Sequence, residues 1–147
     1  MKNIYGIAIA LVADAFKNRT DRQGEPYFLH CMTVAKAVSK RNRVRAILHD
    51  YVEDIFPDNH ELGFEALRQA GIPDDDIRVI RILTHNKKDD YLTVYIRGIA
   101  LDIDATEIKK ADLDHNSCIA RIKGVLSKAH FDNIQKYHTA YQYLSNI

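Results

Sequence analysis

The stretch His49-Asp50-Tyr51-Val52-Glu53-Asp54 holds the densest set of coordinating and proton-handling side chains in the chain. An imidazole and a carboxylate stand side by side, and two more carboxylates follow Asp50 at three and four residues. On a continuous helix, residues four apart share a face, so His49 would stand with Glu53 and Asp50 with Asp54. The flanks are apolar: Val44, Ala46, Ile47 and Leu48 come before, with Val52 and Ile55 interleaved. Carboxylates held against an apolar wall without a partner are costly, and a divalent cation is the natural compensation. The chemistry this predicts is metal binding with carboxylates at hand to move protons.

Such a cluster needs rigid elements, and the apolar spacing is helical almost throughout. A first helix is expected over Ile4 to Asn18, then a polar loop to Glu25 containing Gly24. Pro26 opens a second helix, with apolar positions Phe28, Leu29, Met32, Val34, Ala35 and Val38. A third runs from Asn42 to Asp54. Asp58 with Glu61 reads as a capping box for a helix closing near Gly71. Pro73 and Asp74-Asp75-Asp76 start the next, which reaches Thr84. Three acids in a first turn suit the helix dipole, so they read as structural and not as ligands. Tyr91, Val94, Tyr95, Ile99 and Leu101 make another stripe. Asp104 with Glu107 caps a helix from Ala105 to Lys123, and Phe131, Ile134, Tyr137, Tyr141 and Leu144 mark the last. No segment alternates with period two, so the predicted fold is all-α.

The apolar run Ile4 to Ala13, followed by Ala13-Asp14-Ala15, has the outline of a signal peptide. Its stripe continues at helical spacing to Phe16, which favours a buried first helix, and the run is too short to span a bilayer. The 147 residues fit a single domain, 1–147. Lys plus Arg number 21 against 20 for Asp plus Glu. No nucleic-acid partner is expected, because generic binding needs excess positive charge, whereas a small anionic ligand needs only a local patch. No membrane partner is expected either. Cys31 and Cys118 are the only cysteines, with no zinc-type spacing, which suits a reducing, cytoplasmic setting. Nothing in the pattern sets an oligomeric state.

Two other segments bring ligand-type groups out of apolar surroundings. One is Gly24-Glu25-Pro26-Tyr27-Phe28-Leu29-His30. The other is Lys109-Lys110-Ala111-Asp112-Leu113-Asp114-His115-Asn116, in which Asp112 and Asn116 share a face. Together with Val34-Ala35, Ala46-Ile47-Leu48-His49-Asp50, Val52-Glu53-Asp54, Leu83-Thr84 and Tyr91, these motifs follow one order over about residues 8 to 120. In this the chain resembles the HD-domain metal phosphohydrolases, specifically the RelA/SpoT-type (p)ppGpp hydrolase branch with its small stand-alone members.

The resemblance implies an HD-domain helical bundle with a metal site between three helices. It implies His30, His49, Asp50 and Asp112 as ligands and, usually in this family, Mn²⁺ as the ion. From the residues alone, two imidazoles and two carboxylates without a thiolate suit several borderline or hard divalent ions. Glu53 and Asp54 correspond to the family's catalytic pair. Glu53 would take a proton from water, and Asp54 would orient that water or protonate the leaving oxygen. Acids at a helix C-terminus oppose the dipole, which favours a functional role for both. Asn116 matches a residue that contacts the nucleotide sugar. Tyr27 matches a mainly structural tyrosine, and Lys109 a lysine that is structural or compensates charge. The implied reaction is hydrolysis of a small-molecule nucleotide, (p)ppGpp, at its 3′-pyrophosphate to GDP or GTP and pyrophosphate. At this length no synthetase or regulatory domain is expected beside it.

One departure bears on the substrate. Full-length family members carry Arg-Lys-Ser-Gly where this chain has Asp21-Arg22-Gln23-Gly24. The family's arginine stacks on guanine; here Asp21 replaces it, and Arg22 remains to meet a phosphate. That keeps two alternatives open: another nucleotide phosphohydrolase on the same scaffold, such as a nucleotidase or NADPH phosphatase, and a non-catalytic nucleotide-binding HD module. Lys87 and Lys88 read as a solvated charge run. His115 is expected off the Asp112/Asn116 face and away from the metal. His60, His130 and His138 lack partners in sequence, and Asp114 stands second to Asp112.

Overall fold

The computed structural model describes residues 2–147; Met1, the first residue of the expected domain, lies outside the described residues. Among the described residues the fold is all-α, with no strand. Helix α1 (Ile4–Ala15) starts on the Asn3 side chain, which accepts the Gly6 N–H, and it buries Ala8 and Val12. It ends before the expected Asn18, because the chain turns at Phe16 into a loop closed by the Thr20–Pro26 bridge. Helix α2 (Tyr27–Lys36) follows Pro26, as expected. Its buried face is His30, Cys31, Val34 and Ala35, while Leu29 is 50% exposed. A histidine, which apolar periodicity does not count, thus occupies the centre of the inward stripe.

The expected helix from Asn42 to Asp54 is broken. A 3₁₀ turn (Lys40–Asn42) leads into α3 (Arg43–Ile47), and α4 (Tyr51–Ile55) begins after a turn. At the break the backbone tightens to three-residue hydrogen bonds: His49 N donates to Ala46 O and Tyr51 N to Leu48 O. Leu48 and Asp50 sit at ψ 2° and −1°. This corrects the helical pairing of His49 with Glu53, whereas Asp50 and Asp54 keep theirs, since Asp54 N donates to Asp50 O at 3.0 Å. On a continuous helix, neighbours diverge by about 100°. The tightened turn instead lets adjacent His49 and Asp50 face one point.

Helix α5 (His60–Ala70) is capped by Asn59, whose side chain accepts the Leu62 N–H, and not by Asp58. It ends at left-handed Gly71, φ 99°, as the sequence indicated. Gly63 lets α5 lie close on α4, since a Cβ there would come within 2.8 Å of Val52. Helix α6 (Asp74–Leu83) follows Pro73. Residues Tyr91–Ile96 form a wide, π-type turn running into α7 (Arg97–Ile99), in which Val94 and Leu101 are exposed instead of joining the expected stripe. Helix α8 (Ile103–Asn116) is capped by Asp102, not Asp104, and stops well short of Lys123. Helix α9 (Lys128–Ser145) buries Ala140 and Leu144 but leaves Phe131 57% exposed. Helix α2 packs against α3 and α8, and α9 covers the other side of α8. Among the described residues, no helix is long and apolar enough to cross a membrane.

The acids that do not cap have another task. Arg45 on α3 is only 7% exposed. Its guanidinium donates to Asp76 at 2.6 Å, Asp75 at 2.8 Å, and Asp104 and Asn42 at 3.1 Å each. Buried Asn42 bonds in turn to Asp104 and Glu107. The acids expected to be structural at the start of α6 are so, pinning α3 to α6 and α8 just ahead of His49. Removing one partner of a buried ion network leaves the others uncompensated. Arg45→Ala is therefore expected to cost about 3 kcal/mol of stability, read by urea denaturation.

Candidate metal centre

His30 from α2, His49 and Asp50 from the α3–α4 turn, and Asp112 from α8 converge. One ligand atom from each lies within 4.8 Å of every other. His49 Nε2 stands 2.9 Å from Asp50 Oδ2 and 3.4 Å from Asp112 Oδ1. His30 Nε2 is 3.1 Å from Asp112 Oδ1 and 3.7 Å from Asp50 Oδ2. Ligands at about 2.1 Å from one cation sit roughly 3.0–3.4 Å from each other in octahedral or tetrahedral arrangement. Three of the four spacings fall at or within 0.1 Å of that range, and the His30–Asp50 separation of 3.7 Å is longer. Both Nε2 atoms are buried and have no hydrogen-bond partner despite the nearby oxygens. A buried unpaired polar atom is costly, and a cation shared by all four groups removes the cost.

The outer nitrogens fix which atoms are free to coordinate. His49 Nδ1 lies 2.6 Å from the Ala46 carbonyl, which only accepts, so Nδ1 carries the proton and Nε2 a lone pair. His30 Nδ1 lies 2.7 Å from His115 Nδ1. With His30 Nε2 turned to the cluster, His30 Nδ1 donates and His115 must accept as a neutral ring. His115 is well suited to this: burial, then the charges of Arg121 and His30, push its pKa down to about 4. His115 lies outside the convergent group, yet its ring meets His30 edge to edge, with centroids 5.0 Å apart, and orients it. Such outer partners typically set 10- to 100-fold in metal affinity. His115→Phe is expected to weaken Mn²⁺ binding by about that factor, and His115→Gln, which restores an acceptor, to recover part of it. Isothermal titration with Mn²⁺ measures both.

Asp112 is 3% exposed, and its second oxygen takes the Lys109 ammonium at 2.8 Å. Lys109 thus compensates charge, and its ammonium also faces the Tyr95 ring at 5.2 Å. Burial works against both charges, but each holds the other ionised: Asp112 stays well below the usual carboxylate range and Lys109 well above the usual lysine range. Asn116, expected at the substrate, spends its amide on Asp112 Oδ1 at 2.8 Å. Tyr27 is tied to the site as well, because its hydroxyl donates to Asp50. Without a cation, burial opposes but Asp50 and Asp112 favour a charged His49; a divalent ion takes the place of that proton.

Glu53 and Asp54, on α4, line the open side of the cluster. Glu53 Oε1 accepts the His85 N–H at 2.7 Å, and Asp54 pairs with Arg19 at 3.2 Å. Burial, then the charges of Asp50 and Glu53, raise Asp54 to about 7; burial and Asp50 raise Glu53. A cavity of about 470 Å³ opens in front of both, bordered also by Arg22, Asn116 and the α9 residue Lys136. That volume lies in the range for small-molecule sites. Asp21 does not face it as a free acid: its carboxylate accepts the Gln23 and Glu25 N–H groups and pairs with Arg121 at 2.6 Å. Lys87 and Lys88 border a separate groove beside α5, and Asp114 faces away on an exposed surface. Sequence reading missed Arg19, Arg121 and Lys136, all outside the spacing rules that found the cluster.

Compared with models of known protein families and with curated proteins, the sequence matches none.

Proposed function

We propose that this chain is an HD-type, metal-dependent phosphohydrolase that cleaves (p)ppGpp at the 3′-pyrophosphate. The observation that carries the proposal is the pair of buried Nε2 lone pairs, each fixed by its own outer nitrogen. They converge with Asp50 and Asp112 directly beside a second, cavity-facing pair of carboxylates. A nitrogen/oxygen ligand set of this kind fits Mn²⁺. When bound, the ion supplies Lewis-acid polarisation of water and of a phosphoryl oxygen. The substrate assignment is supported by the motif order from Gly24 to Asn116 and by basic side chains at the cavity.

The chain's residues would divide the proton work. Water oxygen joins the phosphorus bonded to O3′, and the P–O3′ bond breaks. Glu53 takes a proton from the water, and Asp54 returns one to O3′, so that pyrophosphate and GDP or GTP leave. Carboxyls raised toward neutrality suit such exchange, and a neighbouring cation favours their ionised forms. Arg19, Tyr27, Lys109 and His115 act as positioning residues, since each holds a carboxylate or imidazole of the site.

One observation favours a second reading on the same scaffold. Asp21 stands where the resembling family stacks an arginine on guanine, and it is committed to Arg121. A nucleotidase or NADPH phosphatase would not need that stack. The test is hydrolysis by metal-stripped protein with Mn²⁺ added back, using ppGpp beside a panel of other nucleotides and NADPH. Metal-dependent release of GDP and pyrophosphate together supports the first reading. Activity on other phosphates with none on ppGpp selects the second.

A further inference from the structure

We infer that Lys136 and Arg22 form an anion subsite on the α9 side of the cavity, which takes a second phosphate group of the substrate, remote from the one being cleaved. The inference rests on the phosphohydrolase reading and adds a residue, Lys136, that lies beyond the stretch carrying the family resemblance.

The cations around the cavity fall into two groups. Lys109 is committed to Asp112 at 2.8 Å, and Arg121 to Asp21 at 2.6 Å and the His115 carbonyl at 2.7 Å. Arg22 and Lys136 border the same cavity and pair with no carboxylate among the described residues. They come from the loop before α2 and from α9, which are far apart in sequence. Lys136, like Arg22, is an exposed residue, but its ammonium is held at the cavity edge. Its ammonium stands 4.8 Å from the Tyr91 ring centre and 5.3 Å from that of Tyr137, a placement within cation–π range. The Tyr91 hydroxyl is itself buried without a hydrogen-bond partner.

Two like charges brought to one wall without a counterion repel each other. Consistent with this, burial, then Arg22 and Lys109, hold Lys136 below the ordinary lysine range. Of the cavity's five carboxylates, Asp50, Glu53, Asp54 and Asp112 stand at the metal side, and the fifth, Asp21, is neutralised by Arg121 at 2.6 Å. The cavity is therefore divided into a cation-binding side and an anion-binding side. A ligand that satisfies both carries one phosphate group to the metal and another to Lys136 and Arg22, where charge-assisted hydrogen bonds hold it. The substrate class this selects is a nucleotide phosphorylated at two separate positions, in preference to one carrying a single phosphate cluster.

The test compares wild type and Lys136→Gln, both as Mn²⁺-loaded full chain, on ppGpp and on guanosine 3′-diphosphate, which lacks the 5′ phosphates. The expected result is a rise in KM for ppGpp of about tenfold with kcat unchanged, and no change on the shorter substrate. Equal effects on the two substrates, or none on either, overturn the subsite. If wild type cleaves neither substrate, the functional reading fails and the subsite is tested by itself. Inorganic pyrophosphate is then titrated into metal-free full chain whose helicity has been verified by circular dichroism, because there the metal-side carboxylates repel anions. Binding that falls about tenfold in both Lys136→Gln and Arg22→Gln upholds the subsite. Absent binding, or binding unchanged in the variants, overturns it.

Discussion

Asp112→Ala is expected to abolish Mn²⁺ binding and also to destabilise the metal-free chain by about 3 kcal/mol. Asp50→Ala should abolish metal binding without that loss. The two carboxylates occupy equivalent places around the cluster but different electrostatic surroundings. Asp112 neutralises Lys109, whose side chain is 11% exposed and which pairs with no other carboxylate within 4.0 Å among the described residues. Removing Asp112 strands a buried ammonium, and the cost of an uncompensated buried charge exceeds that of losing a contact. Asp50 stands near Glu53 and Asp54, and its charge helps to raise both of their pKa values. Its removal relieves repulsion in the metal-free state. The double variant Asp112→Ala/Lys109→Met should regain most of the stability while still binding no metal. Urea denaturation of the metal-free proteins, paired with metal titration, reads both properties. Equal destabilisation by Asp50→Ala and Asp112→Ala would show that the Lys109 pair is not what distinguishes them.

How much of this was legible in the sequence follows from what spacing encodes. The helical period of the apolar residues was enough for the all-α fold, for α1, and for Gly71 as a C-terminal cap. The resemblance carried by the motif order selected His30, His49, Asp50 and Asp112, which the structure brings together. The route by which they meet was not legible. Periodicity predicted one helix through His49, and the structure has a three-residue-bonded turn there, because local propensity carries no record of where α1, α2 and α6 will press against α3. Caps failed for a related reason. Asp104 and Glu107 fit a capping box by spacing, but Arg45 and Asn42 recruit them across the core, and Asp102 caps instead. His115 was set aside because it lies off the Asp112/Asn116 face. That inference about direction was sound, yet it could not show that His30 Nδ1 waits on that other face. Lys136 was invisible, since α9 reaches the cavity through its packing on α8 and on the Tyr91–Ile96 turn.

Glu53→Gln should keep Mn²⁺ affinity near wild type and lower kcat by about 10²- to 10⁴-fold. Glutamine separates the two things Glu53 does. Its amide oxygen still accepts the His85 N–H that Glu53 Oε1 accepts at 2.7 Å, so the turn after α6 stays attached to α4. What it loses is the ability to take a proton. Glu53 lies outside the convergent ligand group, so metal binding has no reason to fall with turnover. That separates this variant from Asp50→Ala, in which metal and activity disappear together. Glu53→Ala adds a structural loss, because the His85 N–H then has no side-chain acceptor, so its rate should fall at least as far. Asp54→Asn gives a further contrast. Asp54 pairs with Arg19 at 3.2 Å, and in the metal-free chain burial and the charges of Asp50 and Glu53 raise its carboxyl; its assigned role is proton donation to the leaving oxygen. The amide introduced by that substitution cannot donate an acidic proton, and the deficit should shrink on substrates whose leaving group needs none. Steady-state rates with metal affinities measured on the same preparations decide the matter: a Glu53→Gln enzyme that turns over near the wild-type rate would remove Glu53 from proton transfer and leave it as a clamp for His85.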